Sequence, residues 1–272
     1  MNLKDVKFIA TDMDHTLLTE AGTLPPHLDA RLDQLEALGI QFGIASGRPL
    51  YTLRDLFPRH ERLTLIADNG AAISHHGQII SKTLLPQAAY QAMVKTISEA
   101  TDGSPLICGL DGAIAATADQ QYDSVFREFY HQLSFRDDLA SWEGEVNKVT
   151  IYLPNGDSQK VYDELIAPRF GADFSAAVSG PVWIDIMPKG VDKGTGMRAV
   201  SQYLHIPTDD MMAFGDTFND AEMLATVKYG YLVANHAEGM AQYARYRTAS
   251  NDDYGVVQVL DQVIAAHQDA RK

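Results

Sequence analysis

FIATDMDHTLL, residues 8–18, extends an apolar run that begins at Val6 and breaks at two carboxylates, Asp12 and Asp14, before Thr16-Leu17-Leu18. An apolar strand that ends in two anions two residues apart is costly. The carboxylates repel each other and resist leaving water unless a proton or a cation lies between them. The cation suited to oxygen ligands is a hard one such as Mg²⁺. An edge strand running into a solvated acidic turn would show the same letters, so the choice rests on the rest of the chain.

Working outward, the first third alternates strand and helix signals. Pro25-Pro26 precede a helical stretch to about residue 38, with Leu28, Leu32, Leu35 and Leu38 at helical spacing and Gly39 closing it. Residues 40–45 read as a second strand, which runs into Ser46-Gly47-Arg48-Pro49 and a short helix to about 57. A third strand, 63–67, ends at Asp68-Asn69-Gly70. This rhythm with short loops predicts a parallel sheet with right-handed crossovers, whose ligands lie beyond the carboxyl ends of the strands. Asp12, Asp14, Ser46 and Asn69 would all stand at that edge.

The rhythm then changes. Residues 71–81 read as a hairpin turning at His76-Gly77. Residues 84–186 read as an α+β unit: helices over 86–100, 123–133 and 157–170, strands flanking Asp111-Gly112, and strands over 146–153, 174–178 and 183–186. After it the βα pattern resumes, with a helix from Lys193 to about 204, a strand 211–214 ending in Gly215-Asp216-Thr217-Phe218-Asn219-Asp220, and a strand 229–233. Helices over 237–246 and 256–267 complete it. The fold class is therefore α/β, with 1–83 and 187–272 forming one discontinuous domain around an inserted 84–186 domain. There is no internal repeat, low-complexity segment or linker.

Composition narrows the function. A chain of 272 residues can bury a sizeable core. The formal net charge of −14 argues against nucleic acid and anionic membranes as partners, and leaves a small anionic substrate open. The single cysteine, Cys108, excludes an intramolecular disulfide and a thiolate metal cluster, and in PLICGL reads as a small buried apolar residue. The N-terminal residues show no signal pattern and no apolar run would span a bilayer, so a cytoplasmic location is expected. Nothing in the motifs sets an oligomeric state.

Four polar clusters end strands or open helices, and their chemistry is complementary. Asp12 and Asp14 with Asp216 and Asp220 are more carboxylates than a metal-free site holds ionised; around Mg²⁺ they become an oxygen-ligand site. Ser46-Gly47 offers a hydroxyl and backbone N–H groups suited to phosphate oxygens, and Lys193 adds a positive charge near a helix start. Nucleophile, metal, lysine and amide cradle are the parts of a phosphoryl-transfer site.

The order Asp-x-Asp-x-Thr-Leu, Ser-Gly-Arg, Lys-Gly, Gly-Asp-x-x-Asn-Asp resembles the four motifs of the haloacid dehalogenase-like (HAD) phosphatases. The large insertion, IADNGA before it and PKGVDKG after it resemble the Cof-type subfamily with a C2 cap. Together these features cover nearly the whole chain. The resemblance implies a Rossmann-like core with an α+β C2 cap, and a Mg²⁺-dependent phosphomonoesterase acting on small phosphorylated metabolites, sugar phosphates foremost. It makes Asp12 the nucleophile that becomes an aspartyl-phosphate and Asp14 the acid and base. Metal ligands would be Asp12, the Asp14 carbonyl and Asp216, with Asp220 binding through water or anchoring the others. Ser46, the amides of Met13 and Gly47, Lys193 and Asn219 would hold the phosphoryl group. Arg48 would touch the phosphate or pair with an acid.

One departure is visible: His15 stands where the family usually has glycine, and reads as a turn residue in a backbone conformation glycine favours, with proton transfer the alternative role. Asn69 faces the site or forms a plain Asn-Gly turn. Asp68 and Asp192 read as solvated or capping residues. His75-His76, adjacent in a hairpin, would point to opposite faces and so not form a metal pair. Asp111-Gly112 reads as a hairpin turn.

Competing readings are a phosphotransferase or phosphomutase of the same superfamily, a receiver-type phospho-accepting module, and a phosphometabolite-binding protein. A receiver would carry a lone accepting aspartate on a later strand and would not need the insertion.

Overall fold

The computed structural model describes residues 2–271. In chain order the strands and helices are β1 (Phe8–Thr11), α1 (Leu28–Ala37), β2 (Gln41–Ala45), α2 (Leu50–Leu56), β3 (Thr64–Ala67), β4 (Ala72–His75) and β5 (Gln78–Lys82). Then come α3 (Gln87–Ala100), β6 (Ser104–Gly109), β7 (Ala113–Ala116), α4 (Asp123–Arg127), β8 (Leu133–Arg136) and β9 (Val146–Tyr152). Next, α5 (Ser158–Val161) runs through a π-helical stretch, Tyr162–Ile166, into α6 (Ala167–Phe170), followed by β10 (Phe174–Gly180) and β11 (Trp183–Pro188). The chain closes with α7 (Lys193–Leu204), β12 (Met211–Gly215), α8 (Ala221–Thr226), β13 (Tyr229–Leu232), β14 (Tyr246–Arg247) and α9 (Gly255–Asp269).

Two compact units divide these elements. The first comprises Met1–Gly47, Arg59–Ile80 and Asp192–Lys272; the second comprises Arg48–Pro58 and Ser81–Val191. The βα pattern places residues 48–58 with the first unit, and in the structure they group with the second. Tyr51 of α2 is buried in one apolar cluster with Leu106, Cys108, Phe126 and Tyr130.

The first unit is built on a sheet of order β14-β13-β12-β1-β2-β3-β4-β5. From β14 to β3 the neighbours are parallel, and β3 pairs antiparallel with β4. Strands β1, β3, β12 and β13 are buried at every position, as a parallel sheet covered on both faces requires. Phe8 and Ala10 pack with Ile66, Met197, Val200, Met211 and Leu224. β1 lies between β2 and β12, with Thr11 beside Ile44 and Phe214, so residues following these strands converge at one edge.

The second unit carries a sheet of order β10-β11-β9-β6-β7-β8. One face packs Ile107, Val149, Ile151, Ile184 and Ile186 against Met93, Ile97 and Ile166. Two readings fail here and in the first unit. The helix read over 123–133 stops at Arg127, and Leu133–Arg136 pairs parallel with β7; its alternating burial was written in Leu-Ser-Phe-Arg. The helix read over 237–246 is only a short turn, Met240–Gln242, because Gly239 at φ 87° breaks it and Tyr246–Arg247 joins the sheet beside β13. No helix among the described residues is long and apolar enough to cross a membrane.

Candidate active site

Asp12 follows β1 directly, and its N–H donates to Phe214 O at 2.9 Å, which sets it beside the end of β12. Lys193 reaches it from α7. Lys193, Met197 and Val200 are spaced on one helical face, and all three are buried. Asp192 caps that helix in a box with Thr195, fixing where it starts: Thr195 N donates to Asp192 Oδ1 at 2.6 Å, and Asp192 N to Thr195 Oγ1 at 3.0 Å. Asp192 thus caps, as one of its two readings had it.

Lys193 Nζ donates to Asp12 Oδ1 at 2.5 Å and to Asp220 Oδ1 at 2.6 Å, with the lysine and Asp220 wholly buried. Asp220 Oδ2 accepts from the backbone N–H of Asp216 at 2.9 Å and of Thr217 at 3.3 Å. Both oxygens of Asp220 are therefore engaged. This tight turn needs Gly215, since a Cβ there would stand 2.5 Å from that of Asp220. Thr16 Oγ1 donates to Asp216 Oδ1 at 3.1 Å.

Asp12, Asp216 and Asp220 each offer one ligand atom, all within 4.8 Å of one another. Burial pushes the Asp12 carboxyl well above the ordinary range; Lys193 opposes the shift, while Asp220 and Asp216 add to it. Asp216 is pushed up to about 6, first by burial and then by Asp220. Burial alone would lower Lys193, but Asp12 and Asp220 outweigh it and hold the ammonium above its usual value. Hard oxygen donors with anionic repulsion left over fit a divalent cation of the Mg²⁺ type. Among the described contacts, Asp12 Oδ2 and Asp216 Oδ2 are the oxygens left over for it.

Asp14 is partly exposed at the start of the loop Met13–Leu17, whose Met13 is buried. His15 adopts φ 58°, the left-handed conformation expected for a residue standing at a glycine position. Its surroundings include residues distant in the chain. His15 Nδ1 lies 3.0 Å from Glu20 Oε1, Asn251 Nδ2 donates to the same oxygen at 2.9 Å, and Asn251 N donates to Asn235 Oδ1 at 3.0 Å. Asn235 Nδ2 returns to His15 O at 2.7 Å, closing a ring that pins the loop. The bond to Glu20, opposed by burial and aided by the nearby carboxylates, raises His15 above its usual value. No local pattern marks Asn235 or Asn251, because they act through pairing across the fold.

Ser46 is buried after β2; its N–H donates to Ile66 O at 2.9 Å and its O accepts from Asn69 N at 3.0 Å. Asn69 Oδ1 accepts from Asn219 Nδ2 at 3.2 Å. Asp68 is 1% exposed, so the solvated reading of it is wrong. Asp68 and Asn69 both have positive φ, at a cost of about 1–2 kcal/mol each. Gly70 follows at φ 102°, where a Cβ would meet Asp192 O at 2.5 Å. Arg48 belongs to the second unit, its guanidinium 5.8 Å from the Phe129 ring centroid. The His75 and His76 rings stack at 3.9 Å, so they do not point apart: His76 at φ 49° turns its ring back over its neighbour.

A parallel sheet with carboxylates and one buried lysine gathered at its edge defines an α/β enzyme with a charged centre. Comparisons with known proteins carry this further. The haloacid dehalogenase-like hydrolase family model matches residues 9–260. The chain is 28% identical to the Escherichia coli (strain K12) 5-amino-6-(5-phospho-D-ribitylamino)uracil phosphatase YbjI, over 95% of this chain and 96% of that one. It is 27% identical to the HMP-PP phosphatase of Serratia proteamaculans, over 84% of each. Among solved structures, SMU.1108c from Streptococcus mutans UA159 superposes with a TM-score of 0.86 at 29% identity, covering 96% of this chain and 99% of that one. The chain belongs to the haloacid dehalogenase-like hydrolases, and within them to the phosphatases.

Proposed function

We propose that this phosphatase is a Mg²⁺-dependent phosphomonoesterase that acts on small cytoplasmic phosphorylated metabolites, sugar phosphates foremost, through an aspartyl-phosphate on Asp12. The observation that carries the reading is the buried Lys193 bridging Asp12 and Asp220. A carboxylate oxygen of Asp12, whose charge the Lys193 ammonium at Oδ1 helps to balance, attacks phosphorus. The phosphorus–oxygen ester bond breaks as the new bond forms, and Asp14 gives its proton to the departing alkoxide. Water then attacks the same phosphorus, Asp14 takes its proton, and Asp12 is released with inorganic phosphate.

Lys193, Ser46, the amides of Met13 and Gly47, Asn219 and Arg48 would neutralise and orient the transferring group. Asp12, the Asp14 carbonyl and Asp216 would hold Mg²⁺, with Asp220 anchoring Lys193 and the Asp216 backbone. When bound, the ion supplies charge that offsets repulsion between anionic nucleophile and anionic substrate. The second unit would serve as the cap that excludes water and selects the leaving group. The YbjI relative's named substrate carries a phosphorylated ribityl chain, which supports the sugar-phosphate class.

Hydrolysis of p-nitrophenyl phosphate with Mg²⁺ or with EDTA tests the reading; equal rates in the two would sink it. Asp12→Asn should abolish turnover while the protein stays folded. A panel of phosphorylated metabolites ranked by kcat/KM then identifies the substrate.

A further inference from the structure

Two adjacent non-glycine residues in the left-handed region, Asp68 at φ 47° and Asn69 at φ 50°, are rare in any chain. Such strain gathers where function over-determines the backbone. A plain Asn-Gly turn would leave the asparagine amide in solvent. Here it is partly buried, and two segments distant in the chain, 46–47 and the one carrying Asn219, meet on it. Asn69 N donates to Ser46 O at 3.0 Å. Its Oδ1 accepts from Asn219 Nδ2 at 3.2 Å. A Cβ on Gly47 would stand 3.4 Å from both amide atoms, so the Asn69 side chain lies against the Gly47 backbone. Ser46, Gly47 and Asn219 are the residues assigned above to the phosphoryl group.

With Oδ1 turned to Asn219, the Nδ2 of Asn69 keeps two N–H donors beside Gly47. A phosphoryl dianion accepts many hydrogen bonds, and bonds to a charged acceptor are about twice as strong as neutral ones. We propose that Asn69 is a further phosphate-binding residue, its Nδ2 donating to a non-bridging oxygen of the substrate. The proposal rests on the phosphatase reading and extends it to a residue outside the four motifs. A purely conformational role makes a different demand, since glycine satisfies a left-handed position as well as asparagine does.

Asn69→Gly and Asn69→Asp separate the two roles, because both fit the backbone but neither supplies the donor. The readout is inorganic phosphate binding to the Mg²⁺-loaded protein, followed by calorimetry and ³¹P NMR, beside kcat and KM for p-nitrophenyl phosphate and a melting curve. Phosphate Kd should rise by about tenfold or more in Asn69→Gly, the loss expected for one hydrogen bond to a charged group. It should rise further in Asn69→Asp, and the melting temperature of the glycine variant should stay level or increase. Unchanged phosphate affinity in Asn69→Gly would overturn the proposal. Should that variant fail to fold, unchanged phosphate affinity in Asn69→Asp, which keeps the acceptor for Asn219, overturns the proposal instead. Wild-type protein that binds phosphate but turns over no ester sinks the phosphatase reading and leaves the assignment of Asn69 standing. Wild-type protein that binds no phosphate overturns both.

Discussion

Each unit buries a lysine among oxygen atoms, and the two arrangements differ in charge balance. In the first unit Lys193 faces Asp12 and Asp220 at 2.5 and 2.6 Å, and Asp216 completes a group of three carboxylates to one ammonium. In the second, Lys148 is 2% exposed, with Asp185 at 4.0 Å and the Tyr130 ring centroid at 5.6 Å. Asp185 Oδ1 also accepts from Thr150 Oγ1 at 2.6 Å, and Thr150 accepts from Tyr130 at 3.0 Å. Among the described contacts, one cation facing one anion is balanced in charge. Three anions with one cation are left needing more positive charge, and that surplus separates a centre built for a ligand from a polar contact built for the fold.

The largest effect should come from breaking the first cluster. Lys193→Met leaves three buried carboxylates without a cation and should cost at least about 3–5 kcal/mol of stability. It should also lower kcat/KM for p-nitrophenyl phosphate by a thousandfold or more, about 4 kcal/mol of barrier. Melting and steady-state kinetics on the same sample check both.

Lys148→Met should also destabilise, because the partly buried Asp185 loses its cation and keeps, among the described contacts, only the Thr150 hydroxyl. The double variant Lys148→Met/Asp185→Leu should regain most of that stability, since a balanced pair can be replaced by apolar groups. A double variant no more stable than the single one would break the contrast.

Metal removal sharpens it further. Without Mg²⁺ the folded protein holds a proton on Asp216 more tightly than the unfolded chain does, because its value is raised to about 6. The stability this contributes is present at low pH, is lost as pH rises from the ordinary carboxylate range, and is gone above about 6. His75, which burial lowers to about 4, acts oppositely over part of that window. Melting in EDTA should therefore be read as the difference between wild type and Asp216→Asn. That difference should favour the variant increasingly as pH rises to 6, and Mg²⁺ should stabilise the wild type selectively above it.

The smallest effect is expected at His15→Gly. Glycine suits φ 58° and the lost contact to Glu20 is exposed, so kcat should change by less than about threefold, under 1 kcal/mol of barrier.

The sequence made the parallel βα frame legible, because apolar strands, short loops and polar strand ends recur in order. Clustering of Asp12, Lys193, Asp216 and Asp220 was equally legible, since each follows a strand or opens a helix. What stayed hidden depends on partners distant in the chain. Asp68 is buried beside an Asn-Gly pair that looks like an open turn. Tyr246–Arg247 is a strand only because β13 offers an edge. Residues 48–58 pack with the second unit through Tyr51 and through Thr52, whose hydroxyl donates to Phe129 O at 2.9 Å. For Asp220 the sequence offered two roles, a ligand through water or an anchor, and the contacts to Lys193 and to the backbone N–H groups of Asp216 and Thr217 are those of an anchor.

The position of β1 between β2 and β12 also bears on how the polypeptide matures during translation. Thr16 and its partner Asp216 are 200 residues apart. At about 5–20 residues per second, β1 waits roughly 10–40 s on the ribosome for the strand that covers its second edge. Through that interval the segment Phe8–Thr11 keeps one strand edge unpaired, a template for wrong pairing until β12 is made.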